Sequence, residues 1–598
     1  MERPRRRTGV ETTPVRRGLR AATGIASRRR QRRIAVSDTR TAWELPPQLV
    51  RPEPPPTAPE ADETEHHSPS LILLVVVGVI GILVYAAFLL SPSRRGDLLP
   101  YSLVIIAESV LIAHGLFSMW TILSGLQSPR NFAFHSAKSL LFGAEETASA
   151  LPENERPMFL DGERVSVDVF VTVYGEDLDV VRRTVTAAVA LRGAHTTYVL
   201  DDGRSDAVRD MAAEVGARYV RRLSSGGAKA GNVNHALSLT SGEYYVIFDA
   251  DFVPHPDFLV ETVPFFGDPT VAFVQTPQVY GNLHNVISRG AGYMQSVFYR
   301  FIQPGRNRFN AAFCVGTNVV FRRAAITDVG GMHTDSKSED VWTSLHLHER
   351  GWRSVYIPKR LAVGEAPDTI EAYAKQQLRW ATGGFEILLK RNPLGRKVSL
   401  SFDQRIQYFV TATFYLTGIA PLLLLLVPPL EIYFDLRPIQ MDTSVLTWLL
   451  FYAGFYVIQI FVAYFAIGSF RWETLMLATT SFPIYVAALR NVILGREQKW
   501  TSTGDRSKVS SPFNFIIPQL LFFVFLALTS VVAVWRDLGN DAFSLATAWN
   551  VTNTLILGGL VLTAIRESRA RRATQTTRAD ERAATAPTGN RRTQEALA

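Results

Sequence analysis

Apolar residues recur along this chain with two different periods. In VSVDVFVTV (165–173) valines alternate with Ser, Asp, Phe and Thr, the pattern of a strand. DLDVVRRTVTAAVAL (177–191) then has helical spacing and an acidic start suited to capping. The alternation repeats. TTYVL (196–200) reads as a strand, SDAVRDMAAEVG (205–216) as a helix ending at Gly216, and ARYVRR (217–222) as a short strand. KAGNVNHALSLT (229–240) is helical and EYYVIF (243–248) is a further strand. Strands alternating with helices predict a parallel sheet. In such sheets ligands bind beyond the carboxyl ends of the strands.

A second pattern brackets this one. Residues 71–90 (LILLVVVGVIGILVYAAFLL) are uncharged and long enough to cross a bilayer core of about 30 Å. The run begins too far into the chain to be a signal peptide. Further candidates are 101–123, 406–430, 445–467, 513–535 and 543–565. Residues 473–495 are apolar but interrupted by Pro483 and by Arg490–Asn491. Counting them gives seven spans, leaving them out six. The distribution of charge decides between the two: the formal net charge is +9, and arginines crowd the first 33 residues and the tail from 566. Six spans put both basic tails on the cytoplasmic side, as the positive-inside rule favours. Residues 473–495 are therefore expected to lie in the membrane interface.

The expected order is a disordered basic arm (1–69), two transmembrane helices (70–125), an α/β domain with interfacial helices (126–395) and two more transmembrane helices (396–470). An interfacial helix and loop (471–511), two last transmembrane helices (512–566) and a disordered basic tail (567–598) follow. The arm's charge is read as marking topology near an anionic bilayer, not as nucleic-acid binding. The single cysteine, Cys314, allows no internal disulfide, which fits a reducing compartment.

Three acidic stops fall at the carboxyl edge of the predicted sheet: YGED (174–177), DDG (201–203) and DAD (249–251). Carboxylates one residue apart, Asp249 and Asp251, suit a hard cation such as Mg2+ or Mn2+ when a diphosphate supplies the remaining oxygen ligands. Glu339 and Asp340 open a helical pattern in DSKSEDVWTS (335–344). In KQQLRWATGGFEILL (375–389), Gln376, Arg379 and Trp380 share one helix face, where an Arg can pair with phosphate and a Trp can offer a flat surface to a sugar ring.

YGED, DDG, DAD, SED and Q-x-x-R-W, in this order, resemble the processive family 2 glycosyltransferases, the group of bacterial cellulose synthase catalytic subunits and curdlan synthases. The likeness covers most of 70–535. It implies a GT-A fold, an α/β domain with a mixed, mostly parallel sheet, inserted into a multi-span helical membrane domain. It implies that Tyr174, Glu176, Asp201 and Asp202 hold a uridine, that Lys229 meets the diphosphate, and that Asp249 and Asp251 serve donor and metal. Asp340, beside Glu339, would be the general base that deprotonates the acceptor hydroxyl. Gln376, Arg379 and Trp380 would bind pyrophosphate and the terminal acceptor sugar, with Cys314, Gly316 and Thr317 near the acceptor end.

The implied activity is inverting transfer of glucose from UDP-glucose to a growing β-glucan, with translocation through a channel of membrane helices. The protein would sit in the inner membrane with its catalytic domain and both termini cytoplasmic, and an envelope export partner is compatible. In the gating-loop position, K-W-T-S-T-G-D-R (499–506), Trp500 and Thr503 fit the family's F-x-V-T-x-K in role, while Ser502 and Asp505 replace its Val and Lys. The stretch after 566 is too short for a cyclic-di-GMP-binding barrel. Both departures leave a β-1,3 product open beside β-1,4. A non-processive enzyme that adds sugars to a lipid or another polysaccharide is the alternative. A membrane scaffold with an inactive transferase domain is disfavoured by the intact carboxylates.

Overall fold

The computed structural model describes residues 69–125, 127–143, 151–440, Tyr464, 471–496, 510–541 and 543–585. At its centre is a seven-stranded sheet. Its strands in chain order are β1 (Val167–Val173), β2 (Thr196–Asp201), β3 (Arg218–Val220), β4 (Tyr244–Asp249), β5 (Val271–Gln275), β6 (Val319–Arg322) and β7 (Arg353–Tyr356). Their order across the sheet is β7-β5-β6-β4-β1-β2-β3. Only β6 runs antiparallel to its neighbours, β4 and β5. The sheet is thus mixed and mostly parallel.

The alternation in the sequence sorts side chains onto two buried faces. On one, Phe170, Tyr245, Phe321 and Phe273 form a row from β1 through β4 and β6 to β5, with successive ring centroids 5.5, 5.3 and 5.4 Å apart. On the other, Val169, Val171, Val246, Phe248 and Val274 pack with the helix Leu178–Val189. Each aromatic pair adds about 0.5–1.5 kcal/mol beyond its area burial. Because both faces are covered, β1, β2 and β4 run parallel with their carboxyl ends at one edge, where the three acidic stops emerge.

Pro69–Leu89, Leu98–Ser124, Trp472–Ile493, Ile517–Gly539 and Leu545–Ala573 are long and apolar enough to cross a membrane. The pair Phe402–Leu416 and Ala420–Phe434, bent by 42°, would add a sixth. The candidate at 445–467, Tyr464 apart, and the gating-loop residues Trp500 and Thr503 lie outside the described residues.

One expectation changes, at the tail. Residues 472–493, within the stretch expected in the interface, are long and apolar enough for a span by length and composition alone, and they dock on the helix Ile370–Lys390 that carries Q-x-x-R-W. There the Tyr485 hydroxyl donates to Gln377 Oε1 at 3.0 Å. The tail expected to be disordered from 567 begins as helix, since Leu545–Thr585 is continuous. Its Glu567 Oε2 accepts the Ile370 N–H at 3.0 Å, which caps the Q-x-x-R-W helix from outside.

Candidate active site

Strand β4 ends at Asp249, whose backbone N–H donates to the buried Thr317 hydroxyl at 2.9 Å. The Asp249 carboxylate accepts from Thr172 Oγ1 at 3.0 Å and from the Lys229 ammonium, which also donates to the Gly316 carbonyl at 2.7 Å. Lys229 lies in the first turn of the helix Ala228–Leu239 that follows the glycine-rich loop, so a cation from one element is locked between β4 and the turn before β6. Burial lowers its pKa, but the charge and hydrogen bond of Asp249, with the charges of Glu339 and Asp340, together outweigh this, and the ammonium ends above its ordinary value.

Gly316 places Asp340 opposite this lysine. Its φ of +87° suits glycine, and a methyl group there would lie 3.3 Å from Asp340 Oδ2 and 3.6 Å from Lys229 Nζ. Asp340 sits in the first turn of the helix Glu339–Glu349, with Oδ1 accepting its neighbour's N–H, Val341, at 2.8 Å. Burial first, and then the Glu339 charge beside it, push the Asp340 carboxyl up to about 7, against the pull of Lys229 and Arg379. Across the cleft, Asp251 is pushed up to about 8 by burial and by the charges of Asp249 and Glu176. Glu176 is raised as well, by burial above all, while its Oε2 accepts the Tyr174 N–H at 2.6 Å.

Hydrogen bonds and charge interactions thus link Tyr174, Glu176, Lys229, Asp249, Asp251, Glu339, Asp340 and Arg379 into one network. Gln376 and Trp380 lie half-buried on the same helix as Arg379. That helix meets the S-E-D turn at Gly383, where a methyl group would come within 1.9 Å of Ser338 Oγ.

Four of the expected site residues are engaged by the protein itself. Asp201 is buried and already accepts from Gly203 N–H, Ser205 N–H and the Tyr219 hydroxyl, at 2.7, 2.8 and 2.8 Å. Asp202 is held by a two-pronged pair with Arg222, at 2.6 Å on each prong, with side chains only 6% and 8% exposed. Both aspartates fasten the edge of the sheet. Cys314 and Thr317 are fully buried and offer no surface to an acceptor. The Cys314 sulfur instead accepts the Gly316 N–H at 3.3 Å, and Thr317 orients Asp249.

Two residues escaped the sequence reading. Arg222 joins Asp202 to the carbonyls of Gly226 and Ala228, at 2.6 and 2.7 Å, and so ties the DDG turn to the lysine loop. Its only sequence signal is an arginine pair closing β3 before a glycine-rich loop. Gly383 was signalled by the Gly–Gly pair inside an otherwise helical apolar run, a costly choice unless another backbone or side chain approaches closely.

The residues at the cleft fit a divalent cation. Asp249 and Asp251 carry a surplus of negative charge at one point, which a cation would relieve. Among the described residues no three His, Cys, Asp or Glu side chains are placed to hold a metal by themselves. Two carboxylates and the oxygens of a diphosphate would complete such a site.

Residues 244–487 match the family model "Glycosyl transferase family group 2". Cellulose synthase 2 of Novacetimonas hansenii is 29% identical over 521 residues, 81% of this chain and 32% of that protein. The UDP-forming cellulose synthase catalytic subunit of Xanthomonas axonopodis pv. citri is 37% identical over 281 residues, 45% of this chain and 38% of that one. The alignments thus span about a third of these relatives' lengths. A mannosyltransferase from Pyrobaculum calidifontis, solved with GDP-Man and Mn2+, superposes with a TM-score of 0.42 at 19% identity, over 66% of this chain and all of that one. Residues 244–487 thus resemble a family 2 glycosyltransferase domain, the chain is similar to the cellulose synthases, and it has helices fit for a membrane domain.

Proposed function

We propose that this membrane protein polymerises glucose from UDP-glucose into a β-glucan by inverting transfer and passes the product across the inner membrane. The observation that carries the reading is the convergence on Gly316, with Asp340 on one side and the Lys229–Asp249 pair on the other. A base and a cation for a leaving diphosphate must flank the reacting carbon in this way.

Asp340 accepts the proton of the acceptor hydroxyl, and a carboxyl poised near neutral pH is well matched to that task. The activated oxygen attacks the anomeric carbon from the face opposite the nucleotide, so an α-linked donor gives a β-linked product. Lys229, released from Asp249, and Arg379 neutralise charge on the departing UDP. Asp249 and Asp251 would hold Mg2+ or Mn2+, which when bound stabilises negative charge on the diphosphate. Tyr174 and Glu176 border the nucleotide end, and Trp380 offers a flat surface to the terminal sugar. The catalytic domain and both tails face the cytoplasm in this reading, supported by the arginine-rich ends of the chain.

The test uses the purified full chain in nanodiscs, supplied with UDP-glucose and Mg2+ or Mn2+. The product is digested with β-1,4- and β-1,3-specific glucanases. A long polymer cut by one enzyme alone is the expected result and names the linkage. UDP release from a different nucleotide sugar only would overturn the substrate, and products of one or two added sugars would favour the non-processive alternative.

A further inference from the structure

The two helices that carry S-E-D and Q-x-x-R-W end together at a second cavity. Glu339–Glu349, which opens with Asp340, is followed there by Arg350. Ile370–Lys390 is followed by Arg391. The cavity has a volume of about 320 Å³, and its polar lining is His346, Glu349, Arg350, Arg391, Lys397 and Ser399. Small-molecule sites begin at about this size. Asp340 stands nine residues before Glu349 on the same helix, about 14 Å away at 1.5 Å per residue. The cavity is therefore separate from the candidate active site.

Three cations line it against one carboxylate. Glu349 accepts from Nε and Nη2 of Arg391, with Nη2 at 2.8 and 3.0 Å from its two oxygens. Arg391 Nη1 has no partner among the described residues. Arg350 and Lys397 are exposed, and neither has an ion-pair partner among the described residues. A helix dipole favours cations at its carboxyl end, which accounts for Arg350 and Arg391. It does not account for Lys397, which belongs to the segment between two helices. His346 adds no charge at neutral pH, because burial and then the charges of His333 and Arg391 lower it to about 4. The wall that carries Lys397 and Ser399 is held in shape by Arg405. Its guanidinium donates to the carbonyls of Pro393, Gly395, Val398 and Leu400. The donors are thus in place before a ligand arrives, which lowers the cost of ordering them.

We infer that this cavity is a second anion site, for a phosphate-bearing ligand. Phosphate oxygens accept from the free prong of Arg391, from Arg350 and Lys397, and from the Ser399 hydroxyl, and they match the two surplus positive charges. A neutral sugar would leave both charges unmatched. Arg391 need not leave Glu349 to take part. A soluble phosphorylated molecule and a lipid headgroup present the same oxygens. The inference does not depend on the glycan-synthase reading above.

The probe is pyrophosphate, titrated by calorimetry into the full chain in phosphatidylcholine nanodiscs with EDTA present. One variant removes charge, Arg350→Ser with Lys397→Ser. Both side chains are exposed, and Lys229 and Arg379 of the candidate active site stay intact. The parent should show a binding step that this variant weakens by about tenfold to a hundredfold, the scale of two charge-assisted contacts in a hydrated cavity. A second variant, Arg350→Lys with Lys397→Arg, keeps the charge and should keep most of the affinity. No binding step in the parent, or an equal one in the charge-removed variant, would overturn the site. Equal loss in both variants would overturn it as well, since charge would not be what binds. Repeating the titration in discs that contain phosphatidic acid separates the two sources. A fall in affinity confined to the parent would assign the site to lipid headgroups, and an unchanged parent affinity would assign it to a soluble phosphate.

Discussion

Asp202 and Asp251 stand at the same edge of one sheet, each at or just past the end of a parallel strand, and their surroundings differ in kind. Asp202 has a buried arginine on both of its oxygens. Asp251 has no cation within ion-pair distance among the described residues and is crowded by Asp249 and Glu176. The first carboxylate is matched by the protein and serves its shape. The second is left unmatched by the protein, as is Asp340 beside Glu339. A carboxylate left without a cation of the protein is what a cationic or proton-exchanging ligand can use.

Removing the reactive carboxylate gives the largest effect. Asp340→Asn keeps the shape of the helix start and abolishes proton acceptance, so glycosyl transfer should fall by about 10²–10⁴-fold. The rate of UDP formation checks this, with an unchanged melting curve as the control for folding. Transfer persisting within tenfold of the parent would remove Asp340 from the chemistry.

The comparison itself is tested by two matched substitutions with opposite expected signs. Asp202→Asn leaves Arg222 buried without its charge partner, and breaking a pair of this kind costs about 3–5 kcal/mol. Asp251→Asn should instead stabilise the protein in the absence of donor and metal. The folded-state pKa of Asp251 is raised to about 8, so its contribution to stability is full in acid and lost as the pH rises from the ordinary carboxylate range through about 8. Asparagine escapes that loss. The gain should reach a few degrees in melting temperature at pH 8.5 and vanish near pH 4, while activity is lost. Equal destabilisation by both variants would dissolve the distinction between matched and unmatched carboxylates.

Much of this was legible in the sequence because it depends on local pattern. β1, β2 and β4 are apolar runs followed by acidic residues, and the helix after β2 begins on Ser205, which caps it. The strands β5, β6 and β7 were not assigned. VAFVQ is buried at every position and shows no alternation, and β6 pairs with segments far away in sequence. The carboxylate-rich edge could be read, but not the division of labour along it. Whether Asp202 faces a ligand or Arg222 is decided by a partner 20 residues away, across a turn whose path no periodicity encodes. The burial of Cys314 and Thr317 likewise follows from how the turn before β6 packs, since a small polar residue looks the same in sequence whether it lines a site or supports one.

A smaller effect should come from Gly383, where the two segments proposed to be catalytic touch. An alanine there places a methyl group 1.9 Å from Ser338 Oγ, so the S-E-D turn or the Q-x-x-R-W helix must move. Overpacking of this size costs about 1–3 kcal/mol. Displacing Asp340 from the acceptor should lower kcat more than it raises KM for the donor. A Gly383→Ala enzyme with parental kcat would mean that the turn adjusts freely and that the contact does not position the base.

The finest test concerns Glu339, the like charge that keeps Asp340 unmatched. After burial it is the main cause that raises the Asp340 carboxyl to about 7. A general base works only when ionised, so the parent rate should climb as the pH rises through about 7. Glu339→Gln removes the neighbouring charge, lowers the Asp340 pKa, and moves this acid limb to lower pH by up to about one unit. At pH 6 the variant should then retain a larger share of its own maximal rate than the parent does. The comparison must be made on kcat/KM, which reports the free enzyme's groups. A limb that stays where it was would mean that burial alone sets the poise of Asp340. A shift to higher pH would mean that Glu339 stabilises the ionised base, and the contrast between matched and unmatched carboxylates would then fail at the one residue where it bears on the rate.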